Sequence, residues 1–252
     1  MATHLIIPDL HAVPGTDHSR ADHIGKLILD LKPDVVVNGG DMFDMGSLSS
    51  YDKGKASFYN KNYRADINAG LEVDDRLWSP IRKAKKKKPL SIFLEGNHEQ
   101  RVRRVLEYQF ELEGAIGFHD YDLNRNYDIV AEYQGATPSI VSIDGINYAH
   151  YFVSGVKGHP VSGMNPARML LSKMHESSTS FHTHTLDFAI DTTGSGRKII
   201  GLFAGVGHER EPPYAGITAR LWWSGVIIKE DVDNGFYNPR FITLERLKKE
   251  YG

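Results

Sequence analysis

Three short apolar runs, Leu5-Ile6-Ile7, Val35-Val36-Val37 and Ile92-Phe93-Leu94, each lead within a few residues into a turn loaded with acids, amides or imidazoles. Runs of this length and β-branched content read as buried strands. The three turns are Asp9-Leu10-His11, Gly40-Asp41-Met42-Phe43-Asp44 and Gly96-Asn97-His98-Glu99. In an open α/β sheet, ligands gather in the crevice outside the carboxyl ends of the strands, so residues distant in sequence meet there without long loops. Two later pieces, His150 and His182-Thr183-His184, add imidazoles. Carboxylate, imidazole and amide donors suit manganese, iron or zinc better than copper or a thiolate-bound metal, and the chain has no cysteine.

The remaining segments fill in alternating elements. Residues 17–31 put Ile24, Leu27, Ile28 and Leu31 on one helical face, and Lys32-Pro33 stops that helix before the second strand. Residues 55–88 read as two helices interrupted at Ser79-Pro80, and residues 99–113 as one helix with Val102, Val105, Leu106 and Phe110 as its core stripe. Strands at 140–143 and 146–149 flank Asp144-Gly145, a two-residue connection that accepts positive φ. A helix at 166–175 and strands at 178–181, 186–191 and 199–204 come next, and strands at 222–232 and 236–244 flank Asp233-Asn234-Gly235.

At 252 residues and 40% apolar, the chain fits one domain spanning residues 1–252. A net charge of -2 argues against a general basic coat for nucleic acid while leaving room for a local patch. Zero cysteine excludes disulfide stapling and fits a reducing compartment. The chain reaches its first strand by His4 with no leader-like segment ahead of it, and no apolar run approaches a membrane span. The expectation is a cytoplasmic protein with no membrane contact and no obligate protein partner.

In the order DxH, GDxxD, GNHE, a lone His and HxH, the motifs resemble the calcineurin-like metallophosphoesterase superfamily, which includes protein phosphatases, nucleotidases, cyclic nucleotide phosphodiesterases and DNA repair nucleases. The resemblance covers residues from about 9 to 184 and is specific in combination. Phe181 stands where the family usually has Gly before HxH, and Tyr151 where Gly often follows the lone His. The resemblance implies an α/β fold, a four-layer α-β-β-α sandwich of two mixed sheets flanked by helices. It also implies two divalent transition-metal ions, manganese first, with iron, zinc and nickel as alternatives. Asp9, His11, Asp41 and His184 would hold one; Asp41, Asn97, His150 and His182 would hold the other. Asp41 would then bridge two cations roughly 3.5 to 4 Å apart, with a hydroxide between them as nucleophile. His98 matches the histidine that protonates the leaving oxygen or steadies the transition state, and Asp44 is placed to orient a ligand. His159 is the rival to His150; His4, His18, His23, His119, His175 and His208 match no motif position and are expected to be surface or structural residues.

Substrate signals are mixed. Arg101, just past Glu99, either pairs with a phosphate oxygen or forms a salt bridge with Glu107 or Asp44. The run Lys83, Lys85, Lys86, Lys87 and Lys88, with Arg103 and Arg104, either tracks a nucleic-acid backbone or ends a helix in solvent. Tyr51, Phe58, Tyr59, Tyr63, Tyr151, Phe152 and Tyr214 are core aromatics or stacking platforms for bases, with Tyr151 and Phe152 as the foremost site walls. The leading expectation is a phosphodiesterase acting on nucleic acid, DNA or RNA, or on nucleotides, similar to the nuclease branch and to small phage-carried members. A phosphomonoesterase for nucleotides or phosphoproteins is the alternative, and a catalytically silent binding module is the reading from outside enzymology.

Overall fold

The computed structural model describes residues 1–210 and 215–252. Its first half alternates β1 (Ala2–Ile7), α1 (Ser19–Leu31), β2 (Val35–Asn38), α2 (Tyr63–Lys83), β3 (Leu90–Leu94), α3 (Arg101–Tyr108) and β4 (Ile129–Ala131). The middle holds β5 (Val141–Ile143), β6 (Ile146–Ala149), the short pair β7 (Val153–Ser154) and β8 (His159–Pro160), α4 (Pro166–Met174), β9 (Ser178–Ser180), β10 (Leu186–Thr192) and β11 (Lys198–Ala204). The chain ends in β12 (Gly225–Asp233), β13 (Phe236–Thr243) and α5 (Leu244–Tyr251).

Two mixed sheets result, ordered β13-β12-β1-β2-β3-β4 and β10-β11-β9-β6-β5. Alternation along β1 sorts its side chains: Leu5 and Ile7 meet Ile24, Ile28, Val73 and Leu77 of α1 and α2, while Ile6 joins Tyr148, Ile200 and Leu202 between the sheets. On the outer face of the second sheet, Ala167 and Leu170 of α4 pack on Ala149 and Phe203. The layers are therefore helix, sheet, sheet, helix, as the motifs implied. Among the described residues no helix is long and apolar enough to cross a membrane.

One residue in the layer between the sheets is out of keeping with it. Lys229 of β12 is fully buried, donating to Thr179 Oγ1 at 2.5 Å and to Tyr148 Oη at 3.2 Å. The Tyr148 and Tyr237 rings lie 4.4 and 4.5 Å from its Nζ. Burial holds this amine well below the usual lysine range.

Several expectations need correction. Residues 55–88 hold one long helix rather than two, because α2 runs through Pro80. The missing N–H costs one bond near the helix end, and burial of Trp78 and Ile81 on either side holds the last turn. The helix after Glu99 stops at Tyr108, where Gln109 takes φ -136 and ψ 64; Phe110 is 76% exposed and belongs to no stripe. Neither β4 nor α5 was expected. Phe152 is buried in the third core cluster rather than forming a site wall, and Tyr214 lies outside the described residues.

Candidate metal centre and catalytic site

The carboxyl ends of β1, β2 and β3 open toward the ends of β6, β9 and β11, and the five motifs converge there. Asp9, Asp41 and His150 are buried. Three groups of donors lie close enough to share an ion: Asp9, His11 and His184; His11, Asp41 and His98; and Asp41, His150 and His182. His184 Nε2 is 3.2 Å from Asp9 Oδ2 and 3.3 Å from His11 Nε2. Asp41 Oδ2 stands between the two sides, 3.9 Å from His11 Nε2 and 3.4 Å from His150 Nε2. Asn97 Oδ1 is 3.0 Å from His150 Nε2, and the His182 ring centroid is 5.3 Å from that of His150. His159 sits on the exposed β7–β8 pair instead.

These residues fit cations. Asp9 Oδ1 is buried with no hydrogen-bond partner among the described residues, a state that is costly unless a cation reaches it. Imidazole orientation is set from behind: His11 Nδ1 donates to Asp44 Oδ1 at 3.0 Å and His150 Nδ1 to Gly39 O at 2.7 Å, leaving both Nε2 atoms turned inward. Burial opposes a charge on His150, yet Asp41 and then Asp9 hold its pKa up to about 10, so this proton must leave before Nε2 can serve a metal. Burial, and then the charge on His150, push His182 down to about 4.

The backbone is bent to serve the site. His11, Asp41, His182 and His184 all take left-handed conformations, at φ of 43, 48, 68 and 63, which cost a residue with a Cβ about 1–2 kcal/mol each. The Asp41 turn is held by Glu99, buried, whose carboxylate accepts from Asp41 N at 2.9 Å, Phe43 N at 2.9 Å and Gly96 N at 3.0 Å. Gly96 is obligatory here, since a Cβ would lie 2.2 Å from Asp41 Oδ1. The unusual Phe181 is accommodated by Gly39, whose own Cβ would fall 2.2 Å from that ring.

His98 Nδ1 donates to Asp44 O at 2.7 Å, and its Nε2 accepts from Arg101 Nη2 at 3.1 Å. Burial pushes this imidazole down to about 3 despite nearby Asp41. Arg101 also donates to the carbonyls of Asp44 and Met45, at 2.9 and 3.2 Å, so it takes neither of the salt bridges considered from sequence. Asp44 is held below the usual carboxylate range: burial works against the anion, but the His11 hydrogen bond outweighs it.

The structure also adds residues. His208 is buried beside His11, His184 and Trp222, with ring centroids 5.3, 6.0 and 5.8 Å away, so of the two roles expected for it, surface or structural, it takes the structural one, against the site. Arg210 Nη2 lies 3.4 Å from Asp44 Oδ1. The signal for His208 was the one used elsewhere: Val206-Gly207-His208 comes directly after the apolar run of β11. Tyr151 does stand at the site, 5.1 Å from the His182 ring.

The basic run stands elsewhere. Lys83, which ends α2, and Lys85, Lys86 and Lys87, which follow it, are exposed, and Lys88 is tied to Asn126 O and Asp128. They precede β3 whereas Asn97 follows it, and a strand of this length spans about 16 Å. Arg103 is spent on Glu95 and Glu132 and stacks on Phe118.

No curated protein matches the chain. Among solved structures, one described as an archaeal phosphodiesterase aligns at 11% identity and a TM-score of 0.39, covering 95% of this chain and 99% of its own. A second aligns at 11% identity and a TM-score of 0.44, covering 96% and 99%. The family profile described as calcineurin-like phosphoesterase matches residues 3–234. With that match over nearly its whole length, and with the donor groups its strand ends bring together, the chain belongs to the calcineurin-like phosphoesterases, a family of metal-dependent phosphoester hydrolases.

Proposed function

We propose that the protein hydrolyses phosphodiesters of nucleotides or nucleic acid at two divalent transition-metal ions, manganese by preference. Asp9, His11, Asp41 and His184 hold one; Asp41, Asn97, His150 and His182 hold the other. The observation that carries this reading is the position of Asp41 Oδ2, within 3.9 Å of His11 Nε2 and 3.4 Å of His150 Nε2, a carboxylate between two sets of nitrogen donors. When bound, the cations polarise the phosphoryl oxygens and supply a nucleophilic water at neutral pH.

The protein's own groups do the rest. Asp44 and Gly39 O fix the His11 and His150 rings. Arg101, beside His98, turns its Nη2 from the imidazole to a phosphoryl oxygen of the arriving substrate. His98 Nε2 is thereby freed, and the negative charge of the phosphate raises its basicity, so that it takes up a proton and passes it to the leaving oxygen. A cavity of about 680 Å³ that Arg101 shares gives room for the second ester group that a monoester lacks. The cysteine-free composition fits a cytoplasmic setting.

Metal analysis with turnover of bis- and mono-p-nitrophenyl phosphate tests this. Two ions per chain and a higher kcat/KM on the diester are expected. Preference for the monoester would replace the diester reading with a phosphatase, and no turnover of either would remove the catalytic one.

A further inference from the structure

The cavity beside Arg101 has a composition of its own. It runs between the residues after Asp44 and the outer side of α3, and its walls include Leu48, Phe58, Tyr63, Val105 and Tyr108. Among the described residues three cations, Lys53, Arg101 and Arg104, also line it, and no aspartate or glutamate does. Arg101 is committed to carbonyls and His98. Lys53 and Arg104 have no ion pair or hydrogen-bond partner of their side chains among the described residues, although neighbouring Arg103 and Lys61 are both paired. An unpaired cation on either side, Lys53 in the segment after Asp44 and Arg104 on α3, with aromatic and aliphatic side chains between them and Arg101 in the lining, favours an occupant that is flat, apolar on its faces and anionic.

We propose that this cavity is the leaving-group subsite: it takes the nucleoside whose ester oxygen His98 protonates, with the base against the apolar wall and the next phosphate on Arg104 and Lys53. The continuity is direct, since Arg101 both lines the cavity and touches His98 Nε2 at 3.1 Å. A group leaving on the His98 side departs into this space. The inference rests on the diesterase reading above and adds a substrate class to it, a nucleotide chain of at least two phosphates. It also moves the backbone contact from the lysines before β3, at the far strand end, to Arg104 and Lys53.

Calorimetric titration of the manganese-loaded protein tests the subsite without turnover. Adenosine 5′-monophosphate and ribose 5-phosphate carry the same phosphate, so their difference reads the base. The nucleotide is expected to bind at least about ten-fold more tightly, the scale of one stacked base. That advantage should fall below about three-fold in Tyr108→Ser, and adenosine 3′,5′-bisphosphate should lose its further gain over the monophosphate in Arg104→Ser. Both positions are on the exposed side of α3, and inorganic phosphate, which reaches only the metal centre, reports whether that centre is intact in each variant. Equal binding of the nucleotide and ribose phosphate by the parent overturns the proposal, as does an advantage that survives both substitutions. Failure of the diesterase reading would appear separately, as absent turnover of p-nitrophenyl esters by the same loaded parent.

Discussion

Glu99→Gln removes one charge from the interior and changes no volume, yet the metal centre should feel it strongly. The Glu99 carboxylate accepts three backbone N–H groups, those of Asp41, Phe43 and Gly96, at 2.9, 2.9 and 3.0 Å. In glutamine one oxygen becomes an NH2, which faces N–H donors it cannot satisfy. Hydrogen bonds to charged groups contribute about 1.5–3 kcal/mol and an orphaned buried donor costs about 1–3 kcal/mol. Loss of one or two such bonds therefore amounts to about 3–5 kcal/mol, or a fall in Tm on the order of 10 °C for a chain of this size. Metal should enlarge the effect. Burial, then repulsion from Asp41, push the Glu99 carboxyl up to about 8 in the metal-free protein, and a protonated acid resembles the amide. A cation on Asp41 cancels the repulsion and leaves Glu99 ionised, so manganese should raise the Tm of the parent more than that of the variant. Differential scanning calorimetry with and without manganese measures both quantities. A variant that melts within about 2 °C of the parent in manganese, or that gains as much from the metal, would refute the idea that Glu99 holds the Asp41 turn in place.

Asp41→Asn should remove both ions, read by elemental analysis, and two tightly held metals in that variant would take Asp41 out of the bridge. His98→Ala should keep its metals while turnover falls about 100-fold; loss of metal instead would make His98 a ligand, as its nearness to Asp41 and His11 permits. Lys229→Met should stabilise the protein by about 1–3 kcal/mol, because a buried amine without a carboxylate is replaced by an apolar chain. Burial also fixes the sign with pH: the folded pKa of Lys229 is depressed, so the unfolded chain binds more protons up to about pH 10.5 and the parent gains stability as pH rises toward that value. Urea midpoints at pH 7 and 9 should show a gain for the parent that the methionine variant lacks, and equal gains would mean that Lys229 is not the titrating group.

Much of this arrangement was legible because apolar strands and polar turns alternate so cleanly: Ile6, Val37 and Ile92 are core, and side chains a few positions on gather into groups close enough to share an ion. His208 carried the same signal after β11 but belonged to no motif, and its place against His11 and His184 is set by packing that spacing does not reveal. Pro80 misled for a local reason, since its effect on a helix is decided by burial of Trp78 and Ile81, which only tertiary packing supplies. The helix α5 was hidden by composition: in Leu244–Tyr251 only Leu244, Leu247 and Tyr251 are apolar, and the Thr243 side chain caps its start. Partnerships were the least readable. Nothing in the spacing of Asp44, His98 and Arg101 tells that a carbonyl of the first anchors the other two.

The proposed ligands come from both layers of the sandwich: Asp9, His11, Asp41 and Asn97 follow strands of the first sheet, and His150, His182 and His184 follow strands of the second. An ion gripped by Asp41 and His150 together, as proposed, would be a clasp across the seam between the sheets. Binding to the folded chain alone stabilises it by about 2.7 kcal/mol when the free metal stands at 100 times its Kd. Chelation thus withdraws more than a reagent. With the proposed ligands it would unfasten one edge of the seam, where four left-handed residues are already under strain, so as free metal falls toward its Kd the protein would lose stability before it loses much occupancy.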